Sequence, residues 1–319
     1  MRESRGSRNP PINSKEDLEM SQLVKLLGFF PRVLKPFEYF EPKTIGEATQ
    51  ILSQYGERAR LLAGGVDLVP RMRRRLLVPK CVVSLHRIPR LDYIRSNRGG
   101  LKFGPLTSIR SLELSPLVKK DYLALYEAVH QLASTQVKTT GTAVGNLCVA
   151  TPASDIAVAL FALGARLRLV GPSSRKTIAI EDFFVGVGQT ILQPGEMVAE
   201  VVVPCPPAGA GQAFLKLVRT AADIAKVNVA VSLTVADGVC QKVRVALGSV
   251  APTIIRARRA ERILKGKAID QRMIEEAAQA AAEETRTITD IRSTSEYRRE
   301  VSRVLVRRAI SKALERAKA

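Results

Sequence analysis

The sequence has no tryptophan, only two histidines (His86 and His130), and four widely separated cysteines, Cys81, Cys148, Cys205 and Cys240. Without a Cys-x-x-Cys pair, neither a zinc site nor a locally ligated iron–sulfur cluster is indicated. The cysteines read as free thiols in or near the core, and the histidines lack metal-like spacing. Aromatic residues are 5% of the chain, which argues against a base-stacking platform for nucleic acid. The longest apolar stretch, Ile156 to Ala165, falls far short of the ~20 residues that cross a bilayer. Nothing at the N-terminus resembles a signal peptide. The expectation is a cytoplasmic protein with no membrane insertion and no metal ligands of its own. Acidic residues are scarce as well: 30 stand against 50 lysines and arginines, a net charge of +20. Such an excess attracts polyanions, anionic membranes or an acidic protein partner. The cations are spread along the chain, however, and the densest cluster is Arg71-Met72-Arg73-Arg74-Arg75.

What is present is an ordinary globular balance, 46% hydrophobic and 25% charged, enough to bury a substantial core. A length of 319 residues suggests two domains or one domain with sub-lobes. Residues 1–19 read as a polar tail, and globular patterning begins near Pro36. Thr44 and Glu47 form a capping-box pattern that predicts a helix to about Tyr55. Arg60 to Ala63 reads as a strand running into Gly64-Gly65, then a helix carrying the arginine cluster, then a strand over Lys80 to Leu85. A helix is expected over Lys119–Leu132, a Thr- and Gly-rich loop over Ser134–Asn146, and a helix over Pro152–Leu163 with Pro at its first turn. Arg166 to Val170 reads as a strand. Pro204 to Gly211 is the best domain boundary. Val227 to Val235 alternates cleanly, and Asp237-Gly238 turns it into a second alternating strand over Val239–Leu247. Helices near 256–264, 270–284 and 294–316 complete an antiparallel sheet with helices on one face.

Two segments carry chemistry. A strand ending in Gly64-Gly65 exposes backbone amides with no Cβ in the way, which suits a bound diphosphate, although two glycines also suit a plain tight turn. This is neither a Gly-x-Gly-x-x-Gly fingerprint nor a Walker loop. Gln136 to Asp155 is rich in hydroxyls and small residues. It reads either as donors and acceptors for phosphate and sugar oxygens or as an N-cap constellation. No Ser–His–Asp grouping or Gly-x-Ser-x-Gly motif occurs, so no catalytic side chain is assigned. Nucleotide binding without acid–base machinery suits a cofactor that carries its own chemistry.

Taken together these residues resemble a known family. Leu62-Ala63-Gly64-Gly65-Val66-Asp67-Leu68, Gly141-Thr142-Ala143-Val144-Gly145-Asn146-Leu147 and Thr151-Pro152-Ala153-Ser154-Asp155 are similar, in order and spacing, to motifs of the FAD-binding (medium) subunits of molybdenum hydroxylases. That family includes carbon monoxide dehydrogenase medium subunits and xanthine dehydrogenase FAD subunits. Phe183–Thr190, Pro194-Gly195-Glu196, Phe214-Leu215-Lys216 and Asp223–Val227 extend the likeness. Val66 and Val144 stand where the family pattern has Thr or Ser and Gly.

The resemblance implies an α+β chain. A two-lobed FAD-binding domain of the vanillyl-alcohol-oxidase type would cover 36–207, with lobes of about 36–90 and 91–207. An N-terminal extension over 1–35 would precede it, and a flavoprotein C-terminal domain over 208–319 would follow. It implies that Leu61, Leu62, Ala63, Gly64, Gly65, Val66, Asp67 and Leu68 wrap the FAD pyrophosphate, met from the other side by Thr142, Gly145 and Asn146. Asp155 would take a sugar or ribityl hydroxyl, Leu132 and Val198 would give apolar flavin contacts, and Lys216 a basic one. The implied partners are a molybdopterin-containing large subunit and a [2Fe–2S] small subunit, in a heterotrimer or a dimer of heterotrimers. The implied role is to accept electrons from the [2Fe–2S] clusters and pass them from FAD to an external acceptor. A stand-alone FAD oxidoreductase of the same fold, or a basic nucleic-acid-binding protein, is the alternative.

Overall fold

Three small sheets and a hairpin organise the protein in a computed structural model that describes residues 33–318. The expected tail over 1–19, and most of the expected extension over 1–35, lie outside the described residues.

The first lobe is a three-stranded parallel sheet of β1 (Glu38–Phe40), β2 (Ala59–Leu62) and β3 (Cys81–Ser84), with β3 in the middle. Helix α1 (Ile45–Tyr55) packs on it. Thr44 caps that helix by accepting from the Glu47 amide at 3.1 Å, and Glu47 accepts in return from the Lys43 amide at 2.8 Å. One orphan helix donor and the amide just before the cap are thereby satisfied, which fixes where the helix starts. The other side of β2 leads through Gly64-Gly65 to α2 (Leu68–Arg73).

The second lobe is a five-stranded sheet in the order β4-β5-β10-β6-β7, with all its pairs antiparallel. Its strands are β4 (Ile94–Asn97), β5 (Gly100–Phe103), β6 (Arg166–Val170), β7 (Arg175–Ala179) and β10 (Met197–Val203). One face packs against helices and the other is solvated, the usual division for an antiparallel sheet. Six short helices fill the stretch between β5 and β6: α3 (Ile109–Leu114), α4 (Pro116–Asp121), α5 (Leu123–Gln131), α6 (Thr135–Thr140), α7 (Ala143–Cys148) and α8 (Asp155–Leu163). Two strands, β8 (Phe184–Gly186) and β9 (Gln189–Thr190), form a separate hairpin.

Three expectations change here. The single helix over Lys119–Leu132 is two, α4 and α5, interrupted at Tyr122, whose backbone is non-helical. The loop over Ser134–Asn146 is mostly helical, because Ser134 and Thr142 each cap a short helix with their hydroxyls. Helix α8 starts at Asp155 and leaves Pro152 outside. Ser154, in extended conformation, accepts from the Ala157 amide at 3.1 Å and so sets the first turn.

The C-terminal part is a four-stranded antiparallel sheet of β11 (Ala210–Leu217), β12 (Val227–Ala236), β13 (Val239–Gly248) and β14 (Ile255–Arg256). Helices α9 (Arg258–Leu264), α10 (Gln271–Glu283) and α11 (Ser295–Lys318) follow it. Asp237 and Gly238 both take positive φ, 50° and 74°, the requirement of a type I′ hairpin turn. The expected one-sided strand over Val227–Val235 is buried on both faces along its first half. Val229, Val231 and Leu233 meet the C-terminal helices, while Ala230 joins the core around α5 and α8.

Two carboxylates, one buried and one half-buried, cross this seam between the two parts. Asp155 on α8 pairs with Lys216 of β11 at 3.0 Å and accepts from Asn228 of β12 at 2.6 Å. Glu127 on α5 accepts from the Phe214 amide at 2.8 Å, from Lys312 at 2.8 Å and from Arg316 at 2.7 Å. Among the described residues no helix is long and apolar enough to cross a membrane.

Candidate functional site

A cleft of about 830 Å³ lies where the first lobe faces the second, within the range of roughly 300–1,000 Å³ common for small-molecule and cofactor sites. Its first wall is the turn after β2. Gly65 has φ 71°, which a side chain would strain. A Cβ on Gly64 would sit 2.1 Å from the Thr140 carbonyl oxygen, so glycine is what lets the two lobes close on each other there. Among the described residues, the amides of Gly64, Gly65, Val66 and Asp67 donate to no backbone carbonyl. They form a run of open donors beside the cleft, the arrangement that binds phosphate oxygens. Asp67 and Arg71 face each other at 3.4 Å on the exposed rim.

The second wall is α7 and its cap. Thr142 Oγ accepts from the Gly145 amide at 3.0 Å, and the Asn146 amide donates to the Thr142 carbonyl at 3.0 Å. The Ala143, Gly145 and Asn146 amides on this wall are therefore used within the protein. The Thr142 hydroxyl proton has no acceptor among the described residues and remains available. Val144 is buried in the helix and takes no positive φ, so the backbone there does not call for glycine. The segment Thr107–Ile109 pins this wall: the Ala143 amide donates to Thr107 and the Ile109 amide to Gly141, at 3.0 and 2.9 Å.

Of the residues singled out from sequence, Leu61, Ala63, Gly64, Gly65, Val66, Asp67, Leu68, Leu132, Thr142, Gly145, Asn146 and Val198 line the cleft together. Leu62, Asp155 and Lys216 do not line it. Leu62 lies on β2 between two lining residues, Leu61 and Ala63. For the other two the reason is the buried ion pair at the seam, with side chains 8% and 3% exposed. Burial pushes the Asp155 carboxyl above its ordinary value, and Lys216 and Asn228 oppose this only in part. Asp155 still bears on the cleft through its neighbour: the Ser154 hydroxyl donates to Asn146 Oδ1 at 2.5 Å.

Part of the lining comes from segments with no local mark of a ligand site. Val185, Gly188, Gln189 and Thr190 of the β8–β9 hairpin form one edge, and the turn over Gln193–Glu196 forms another. Both belong to segments that carried the family likeness, yet nothing local in them marks a ligand contact. The available signal was the spacing of Gly186 and Gly188 around Val187, which is exposed together with Val185. The Gly188 amide donates to the Ala150 carbonyl at 2.9 Å and fastens this hairpin beside α7.

The cleft suits FAD in its donor set. Open amides and a hydroxyl lie at the turn and the α7 cap for phosphate and sugar oxygens. Leu132 and Val198, both buried, offer apolar surface.

Comparison with known proteins agrees with this geometry. Residues 35–206 match the model of the FAD binding domain in molybdopterin dehydrogenase, and residues 212–313 that of the CO dehydrogenase flavoprotein C-terminal domain. The chain is 34% identical over 282 residues to the carbon monoxide dehydrogenase medium chain of Afipia carboxidovorans, covering 88% of this chain and 98% of that one. It is 30% identical over 273 residues to the glyceraldehyde dehydrogenase medium chain of Sulfolobus acidocaldarius, covering 86% and 96%. A solved structure of reconstituted CO dehydrogenase from Oligotropha carboxidovorans superposes with a TM-score of 0.85 at 33% identity, covering 89% of this chain and 99% of that one. With both of its parts matched and near-complete coverage of these relatives, the chain belongs to the FAD-binding medium subunits of the molybdenum hydroxylases and is an FAD-dependent oxidoreductase subunit.

Proposed function

We propose that this chain is the electron-transfer subunit of a cytoplasmic molybdenum hydroxylase. It accepts electrons from [2Fe–2S] clusters on a small subunit, while a large molybdopterin subunit oxidises the substrate. It then delivers the electrons to an external acceptor. A heterotrimer, or a dimer of heterotrimers, is the assembly this reading implies. The observation that carries it is the inter-lobe cleft with its four adjacent open amides. The medium-chain names of the relatives support the partners. Exposed, unpaired Cys148 and Cys205 suit a reducing compartment.

When bound, FAD would supply the electron store of this subunit. The residues of the chain would hold it. The Gly64–Asp67 amides would take pyrophosphate oxygens, and the Thr142 hydroxyl would donate from the opposite wall. Gly145 keeps that wall close, since a Cβ there would sit 2.7 Å from Thr142 Oγ. Leu132 and Val198 would exclude water along the apolar part. Asn146 would contact the sugar region, held by Ser154. The proposed role of Asp155 and Lys216 narrows from direct contact to positioning of this segment.

Reconstitution of the purified chain with FAD tests the proposal. Expected are visible flavin absorbance that survives gel filtration and a stoichiometric calorimetric titration. A chain that stays colourless and gives no binding heat would rule it out. Co-purification with the two sister subunits separates this reading from a stand-alone oxidoreductase.

A further inference from the structure

The solvated face of the second-lobe sheet breaks a rule of strand pairing. Arg95 of β4 stands directly opposite Lys102 of β5, and like charges in register destabilise a sheet. The same cross-strand row continues through Val202 of β10 to Arg166 of β6. Three cations thus lie along one row across four strands, a span of roughly 14 Å at about 4.8 Å per strand. One step along, Arg168 lies 2.8 Å from Glu200 Oε1 without hydrogen-bond alignment, and Tyr93 donates to the other Glu200 oxygen at 2.7 Å. That carboxylate is therefore occupied. Among the described residues, Arg95, Lys102 and Arg166 pair with no carboxylate. The opposite face of the sheet cannot relieve the repulsion, because Leu101, Phe103, Leu167 and Val201 are fully buried there.

We propose that this cationic row docks a carboxylate-rich surface of a sister subunit, an inference that rests on the proposed function. The chemistry favours protein over nucleic acid. The row is interrupted by Val202, and its neighbouring aromatic ring, Tyr93, already carries the Arg95 guanidinium at 4.9 Å on one face, so the row offers no series of free rings for bases to stack on. A second copy of this chain is disfavoured because it would bring the same cations against themselves. An acidic partner would turn the in-register repulsion into attraction, and the contact would weaken steeply with salt.

The test is co-expression of the full chain with the large and small subunits of its complex, followed by affinity purification across a salt series. The double variant K102E/R166E should retain FAD but hold its partner at least ~10-fold more weakly. The control R272E/R308E reverses two exposed charges elsewhere and should assemble like wild type. K102E alone should melt no lower than wild type, since it places opposite charges across β4 and β5. Assembly of K102E/R166E with unchanged affinity and salt dependence would overturn the proposal. So would an equal loss in the control, or a loss confined to binding of a DNA duplex. If the wild-type chain binds FAD and no sister subunit, the docking inference falls while the cofactor reading stands. If it binds no FAD, the functional reading itself fails.

Discussion

The cleft and the seam are built from the same kinds of polar group and treat them oppositely. At the seam, Lys216 and Asn228 are spent on Asp155, and Lys312, Arg316 and the Phe214 amide on Glu127. In the cleft, the amides of Gly64–Asp67 and the Thr142 hydroxyl are left open. Asn228 Oδ1, buried without a partner among the described residues, is an exception on the seam side. The difference teaches where to look for function. A buried polar group that is satisfied contributes to the fold, and an open one beside a cavity is available to a ligand. Damage to the seam should therefore cost stability, and damage to the cleft should cost flavin retention.

The two seam carboxylates also differ from each other. Burial raises the Asp155 carboxyl, and a single cation does not reverse this. Burial acts on Glu127 in the same direction, but Arg316, Lys312 and the Phe214 amide together outweigh it and hold that carboxyl below its ordinary value. Glu127 therefore contributes stability that is present above the ordinary carboxylate range and is lost as pH falls through its lowered value. The ionisation of Asp155 acts with the opposite sign, because its contribution is present at low pH and is lost as pH rises through its raised value.

The largest expected effect is at the seam. Lys216→Met leaves Asp155 buried without its cation and should destabilise the protein by about 3–5 kcal/mol, read as a lower urea midpoint at neutral pH. The deficit should shrink on acidification, because a protonated Asp155 needs no cation. A deficit that is constant with pH would show that lost packing, not lost charge, is responsible.

The next effect is at the cleft. Gly64→Ala drives a methyl against Thr140 and should force the walls apart, at an overpacking cost of about 1–3 kcal/mol. Flavin retention after gel filtration should drop more sharply than the melting temperature does. An equal fall in both would merge the two regions that the comparison separates.

Thr142→Val should act on both measures. It removes a helix cap worth about 0.5–2 kcal/mol and the hydroxyl donor together. Thr142→Ser should restore both, and failure of that rescue would argue against the hydroxyl as the active group. The smallest effect is expected from Val66→Thr, on the exposed rim of the turn. Stability should stay within about 0.5 kcal/mol. FAD should bind more tightly by one hydrogen bond, about 0.5–1.5 kcal/mol in isothermal titration.

Much of this was readable without the fold. Capping residues announced α1, and the Asp-Gly pair announced the β12–β13 hairpin, because both are local hydrogen-bond or backbone requirements. The Gly64-Gly65 turn was legible as a place for open amides for the same reason. The helical character of Ser134–Asn146 was not legible, since runs of Thr and Gly read as loop and only the packed hydroxyl caps made it helix. The β8–β9 edge of the cleft was also hidden, because a lining residue acquires that role only when a distant segment lies beside it.

The sequence by itself determined the order of motifs, the glycine turn, the paired alternating strands and the excess of cations. Periodicity and local backbone chemistry carry that information along the chain. Only the tertiary structure decided which groups stay open. Asp155 and Lys216 are 61 residues apart, and both looked like cleft residues until folding brought them against each other. Once buried together they satisfy one another, while among the described residues the glycine turn and the Thr142 hydroxyl across from it keep open donors beside the cleft.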